Sequence, residues 1–155
     1  MTISTADGIS VVIPSTTLEQ DCCQYYMSAN QVGPAGVLKA IAFDIKIVDT
    51  QGTTYNSSTN RHTPTKPGYY LYNLHVIGTL NVINGTAYTV MSKNGTEQSR
   101  SYHNQTTANT IAVNSQALVY MNGTTDYMEF KAYITGIIIT GGLPYTKMTA
   151  VYLHS

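Results

Sequence analysis

Residues 61–78 read RHTPTKPGYYLYNLHVIG, and this stretch decides the fold. Pro64 and Pro67 have no backbone N–H to donate, so the segment before Gly68 is a turn rather than a central strand. From Gly68 the side chains alternate. Tyr70, Tyr72, Leu74 and Val76 share one face of an extended strand, and Tyr69, Leu71, Asn73, His75 and Ile77 share the other. The first face is apolar throughout. The second sets Leu71 and Ile77 beside Asn73 and His75, whereas an ordinary solvated antiparallel sheet keeps its outer face polar. The strand is therefore expected to be covered on both sides, by its own domain on one and by another subunit on the other.

The 155 residues suit one domain with a short appendage. Only 10% are charged, where about 25% is usual, and the formal net charge is zero. That balance provides no electrostatic drive toward nucleic acid or an anionic membrane surface. Thirteen Tyr and two Phe, with no Trp and many Thr and Asn, favour strands over helices. No apolar run approaches the roughly 18 residues of a membrane-spanning helix, so no membrane insertion is expected. The start, MTISTADGISVVIPS, lacks the basic opening and apolar core of a signal peptide. Adjacent Cys22 and Cys23 make no disulfide framework and read as two reduced, partly buried thiols.

In order, residues 8–14 suit a short strand stopped at Pro14. Leu18, Cys22, Tyr25, Ala29 and Val32 then follow a 4-3-4-3 spacing. That spacing predicts either a short helix or irregular segment packed on the domain, or a short trimeric neck. Gly33-Pro34-Ala35-Gly36 breaks the chain, dividing an N-terminal appendage (1–36) from a main domain (37–155). Within the main domain, Phe43, Ile45 and Ile47 are expected on one strand face. Three Asn-Gly pairs, at 84–85, 94–95 and 122–123, mark turns, the second with the best hairpin flanks. Residues 104–110 read as a loop. Met128, Phe130, Ala132 and Ile134 alternate against Tyr127, Glu129, Lys131 and Tyr133, and Thr146–Leu153 forms the last strand. About ten short strands with turns at intervals of about 8–12 residues predict an all-β antiparallel jelly-roll sandwich.

Several residues in this order resemble the globular head of complement 1q, within the TNF-like jelly rolls. Phe43-Asp44 with Asp49 resembles that family's opening, and Tyr55-Asn56-Ser57-Ser58-Thr59 its Tyr-Asn-x-x-Thr segment. Arg61-His62-Thr63 through Pro67-Gly68-x-Tyr70-x-Tyr72 is similar to its middle. Ala117–Met121 leading into Asp126–Phe130, and Met148–Leu153, are similar to its later strands. His62 stands where the family has Phe, and Thr125 and Ala150 where it has Gly. The likeness spans residues 37–155 and implies a homotrimer, with one face of the inner sheet on the three-fold axis. The residues then expected at the trimer interface are Leu71, His75, Ile77, Tyr127, Glu129, Lys131, Tyr133, Thr149, Val151 and Leu153. Three copies of His75 meeting on that axis would offer a place for a metal or an anion.

The four histidines show no ligand spacing, and no Gly-x-Ser-x-Gly, phosphate-binding glycine loop, Cys-x-x-Cys or calcium loop occurs. No catalytic residue, metal ligand or cofactor is assigned, and an enzyme is not expected. Five Asn-x-Ser/Thr triplets, at Asn56, Asn84, Asn94, Asn104 and Asn122, read as turn formers rather than glycosylation sites. Residues 94–107, with Asn94, Tyr102, His103 and Asn104, are the candidate receptor-binding loop, because such side chains grip sugars and polar surfaces by stacking and hydrogen bonding. A trimeric, weakly charged jelly roll suggests a bacteriophage tail-fibre attachment protein, located on the virion and extracellular on release. It would bind a host glycan or protein and adjoin other tail proteins. A secreted complement-like or cytokine-like ligand, or a structural cap of a fibre, are the alternatives.

Overall fold

A computed structural model describes residues 2–4, 10–12, 21–32, 36–80, 83–107, 109–135, 138–142 and 145–154. The ordered elements among them are all strands. The first half of the chain contributes β1 (Thr2–Ser4), β2 (Ser10–Val12), β3 (Cys22–Tyr26), β4 (Gln31–Val32), β5 (Lys39–Ala40), β6 (Ile45–Asp49), β7 (Tyr55–Asn56) and β8 (Arg61–His62). The second half contributes β9 (Gly68–Leu80), β10 (Gly85–Lys93), β11 (Thr96–Gln105), β12 (Asn109–Met121), β13 (Met128–Ile134), β14 (Ile138–Ile139) and β15 (Lys147–His154).

One sheet runs β12–β9–β15–β3–β6, with β14 beside the far end of β9 and β4 beside β14. The other runs β11–β10–β13–β8–β7, with β5 sharing the β13 edge with β8. All these pairings are antiparallel, and the chain repeatedly leaves one sheet for the other, as in a jelly roll. β1 and β2 pair with each other in a separate ribbon.

The core follows from alternation. On β9 the expected apolar face is buried: Tyr70, Tyr72, Leu74 and Val76 are each 2% exposed or less. Met128, Phe130, Ala132 and Ile134 of β13 are buried opposite them, as their alternation predicts. Phe130 meets Phe43 edge-on at 5.9 Å and Tyr72 at 6.0 Å, so aromatic rings join the two layers. The polar exceptions are paired: Thr89 donates to Ser115 across the sandwich at 3.1 Å, and His62 meets the Tyr72 hydroxyl at 3.0 Å.

Four expectations change. Residues 22–26 form a strand, not a helix or neck. Cys23 and Tyr25 alternate inward between β15 and β6, so the sandwich reaches back before the Gly-Pro break at 33–36. Alternate residues 23 and 25 fit the interior, and the 4-3 spacing is coincidental. Phe43 is buried, but Ile45 and Ile47 lie exposed on the edge strand β6. Residues 104–110 are mostly strand, with β11 ending at Gln105 and β12 starting at Asn109. Only Asn94-Gly95, both with positive φ, closes a tight hairpin. The pairs at 84–85 and 122–123 turn the chain from one sheet into the other. The strand expected over 8–14 is described only as Ser10–Val12, and Pro14 lies outside the described residues.

Candidate assembly and recognition surfaces

The outward face of the β12–β9–β15–β3 sheet is graded along its strands. At one end Tyr120 and Tyr69 are cross-strand partners with rings edge-on at 5.4 Å. Next to them Leu118, Leu71, Val151 and Cys22 form a continuous row across four strands. Leu118 is 61% exposed, and Leu153 at the β15 bulge is 49% exposed, so this end presents apolar side chains to solvent. Further along, the rows turn polar: Gln116, Asn73, Thr149 and Gln24, then Asn114, His75, Lys147 and Tyr26. The His75 ring bonds the Asn114 amide through Nδ1.

Of the residues expected at a trimer interface, this face brings together Leu71, His75, Ile77, Thr149 and Val151, with Leu153 unpaired at the β15 bulge at its edge. It does not include Tyr127, Glu129, Lys131 and Tyr133. These belong to β13 and its approach, whose outward side lies on the opposite surface of the sandwich. There they pair within the chain. Glu129 takes hydrogen bonds from Arg61 at 3.1 Å and Lys131 at 2.9 Å, and Arg61 lies 3.8 Å over the Tyr127 ring. Partial burial pushes the Glu129 carboxyl up, and the bonds from Lys131 and Arg61 outweigh this, leaving it below the ordinary range. Alternation told which side chains point out; it carries no information on which sheet receives the strand. Leu118 and Tyr120 were missed because the pairing of β12 with β9 is a tertiary fact, though their alternation with Val119 was visible.

The residues expected in a receptor-binding loop are redistributed. Asn94 sits in the β10–β11 turn with its side chain committed: its Oδ1 accepts from the Tyr127 N–H at 3.0 Å, and its Nδ2 donates to Asp126 at 2.7 Å. Tyr102, His103 and Asn104 lie in edge strand β11, not a loop. Tyr102 and Asn104 face outward, whereas His103 points to the other side and is half-buried. Tyr102 ends a row of rings: Tyr88 lies 5.0 Å from it and stacks on Tyr133 at 4.6 Å and 11°. The Arg100 guanidinium lies over Tyr88 at 5.0 Å and bonds the Tyr102 hydroxyl at 2.8 Å. This platform of flat, partly exposed aromatic surface was not legible in the sequence, because its members come from three strands.

Behind the graded face lies a small buried cluster containing Cys23, Asp49, Thr54, His62 and Tyr70. Its residue types resemble those of a nucleophile and base, but its environment does the reverse of activation. Burial, with Asp49 nearby, pushes the Cys23 thiol up to about 12, so the nucleophilic thiolate is suppressed. Asp49 is occupied by the Tyr25 hydroxyl at 2.6 Å and by the Thr54 N–H and hydroxyl, each at 2.7 Å. The cluster ties the loop after β6 to the core. Among the described residues no three His, Cys, Asp or Glu side chains gather as a metal site.

No family model and no curated protein matches this chain. Solved structures do. A crystal structure of murine APRIL at pH 8.0 superposes with a TM-score of 0.67 at 13% identity, covering 87% of this chain and 100% of that one. The structure of Eiger TNF from S. frugiperda gives 0.63 at 8% identity, covering 88% and 94%. The globular domain of zebrafish complement 1qA gives 0.60 at 13% identity, covering 87% and 97%. With the strand order above, these likenesses establish that the chain has the all-β, TNF-like jelly-roll fold shared by TNF-family and complement 1q domains.

Proposed function

We propose that this chain is a receptor-binding head that works as a homotrimer. The observation that supports it is the apolar end of the outward β12–β9–β15 face, where exposed Tyr69, Leu118 and Tyr120 stand with half-buried Leu71 and Val151, beside exposed Leu153 at the β15 bulge. A fully buried apolar side chain contributes roughly 1.5–3 kcal/mol relative to exposure, so covering the four exposed side chains and the remaining surface of Leu71 and Val151 on each chain supplies a drive to associate. Closing three copies about an axis covers the face without leaving a free sticky surface. The opposite sheet, with Tyr102, Tyr88, Tyr133 and Arg100, then faces outward and is the proposed recognition surface. Three such surfaces per particle bind by avidity rather than by one strong site. The role is binding, not catalysis.

The biological setting we favour is a bacteriophage tail fibre that attaches to a host surface glycan or protein. It is supported by the low charge and the composition rich in Tyr, Thr and Asn. A cytokine-like or complement-like ligand fits the structural likenesses equally well. Sedimentation of the purified protein tests the shared core of both readings: a monomer at micromolar concentration overturns it. Immunogold imaging of virions with an antibody to this chain separates the settings, since labelled fibre tips support attachment and unlabelled virions refute it. Tyr102→Ala tests the recognition surface. It should leave the trimer intact and reduce binding to target cells at least tenfold, and unchanged binding refutes it.

A further inference from the structure

The polar end of the assembly face holds a recess of about 160 Å³ that the proposed trimer does not by itself explain. Apart from Leu74 and Ser115, whose side chains are buried in the core, its lining is Asn73, His75, Asn114, Gln116, Lys147 and Thr149. One ammonium, one imidazole, three amides and a hydroxyl converge there, and no carboxylate lines it. The strand register holds the set together: His75 has Asn114 as its cross-strand partner on one side and Lys147 on the other, and Asn73 lies between Gln116 and Thr149. All five acid–base pairs among the described residues lie elsewhere, and none involves Lys147.

We propose that this recess binds a small inorganic oxyanion, of the sulfate or phosphate type, enclosed when three chains assemble. The site rests on the trimeric reading, because assembly is what removes water from it. Three Lys147 ammonium groups enclosed without an acidic partner would be strongly unfavourable, and an anion supplies the missing charge. The amide and hydroxyl donors complete its coordination. The same geometry argues against a cation. Asn114 Oδ1 accepts from His75 Nδ1, which leaves the Nε2 lone pair of a neutral ring as a metal ligand, but Lys147 beside it repels a metal ion.

The test compares purified wild-type protein and Lys147→Gln by thermal melting in sodium sulfate, sodium phosphate, sodium chloride at matched ionic strength, and zinc chloride. Sedimentation of each sample reports the assembly. The expected result is a trimer that sulfate or phosphate at about 10 mM raises by about 4 °C over chloride, with the rise absent in Lys147→Gln. In chloride alone Lys147→Gln should melt higher than wild type, since it lacks the uncompensated charge. An intact wild-type trimer with no oxyanion effect overturns the site and leaves the trimer standing. An equal rise in both proteins, or stabilisation by zinc alone, also overturns it. A wild-type monomer in every salt overturns the trimer first and the enclosed site with it.

Discussion

Lowering the pH should destabilise this domain through one side chain, His62. Its ring is 2% exposed and packs edge-on against Tyr70 and Tyr72, with Nδ1 3.0 Å from the Tyr72 hydroxyl. Burial drives its pKa from 6.5 down to about 4, and Asp49 pulls only partly the other way. The unfolded chain therefore binds a proton that the native ring refuses. The stability that neutral His62 provides is fully present above pH 6.5 and is lost as the pH falls through the window down to about 4. With those two values, moving from about pH 7.5 to about pH 4.5 removes about 2.5 kcal/mol. Urea unfolding followed by circular dichroism, at fixed protein concentration, should show a midpoint lower by about 1–2 M. Asp44, Asp126 and Glu129 have carboxyls held below their ordinary values of 3.8, 3.8 and 4.5, so their losses begin only near those values, at the acid limit of this window, and are common to the wild type and the variant compared with it. The comparison is His62→Phe combined with Tyr72→Phe. The single His62→Phe change strands a buried hydroxyl at a cost of about 1–3 kcal/mol, whereas the pair removes both polar groups. The double variant should be flat between the two pH values. A wild-type curve flat to within about 0.5 kcal/mol, or a double variant with the wild-type slope, refutes the reasoning.

Leu118→Asp places a carboxylate in the apolar end of the candidate assembly face and should leave the protein monomeric on size-exclusion chromatography where the wild type runs as the proposed trimer, with its circular dichroism spectrum unchanged. Phe130→Ala empties the ring contacts to Phe43 and Tyr72 and should cost about 3–5 kcal/mol in urea unfolding. Gly123 has φ +72°, and a Cβ there would stand 2.5 Å from the Pro67 nitrogen, so Gly123→Ala should lose about 2 kcal/mol or more by the same measurement. Asn94→Ala removes the turn's bonds to Asp126 and Tyr127 and should lower stability by about 1–2 kcal/mol.

The motifs that resembled the complement 1q family are those that hold the fold. Asp49 gathers Tyr25 and Thr54, and the Tyr55 hydroxyl bridges Ile41 and Phe43 beneath the first sheet. Their spacing was legible because such networks demand particular side chains at particular places. The departure at His62 was legible too, and its consequence is the pH sensitivity above. The polar edge strand β11 looked like a loop because an outward face and a half-exposed edge leave little apolar alternation to read.

Local order was written in the chain: the two faces of residues 68–80, the alternation of 128–134 and the Asn94-Gly95 turn all follow from backbone geometry, which each residue obeys with its neighbours alone. Which strands lie side by side was decided only in three dimensions. That choice separated Glu129 and Lys131 from Leu71, set Leu118 beside it, and drew Cys22–Tyr26 into the sheet. Strand pairing joins residues far apart in sequence and is selected by the closure of one shared core, so no single stretch contains it.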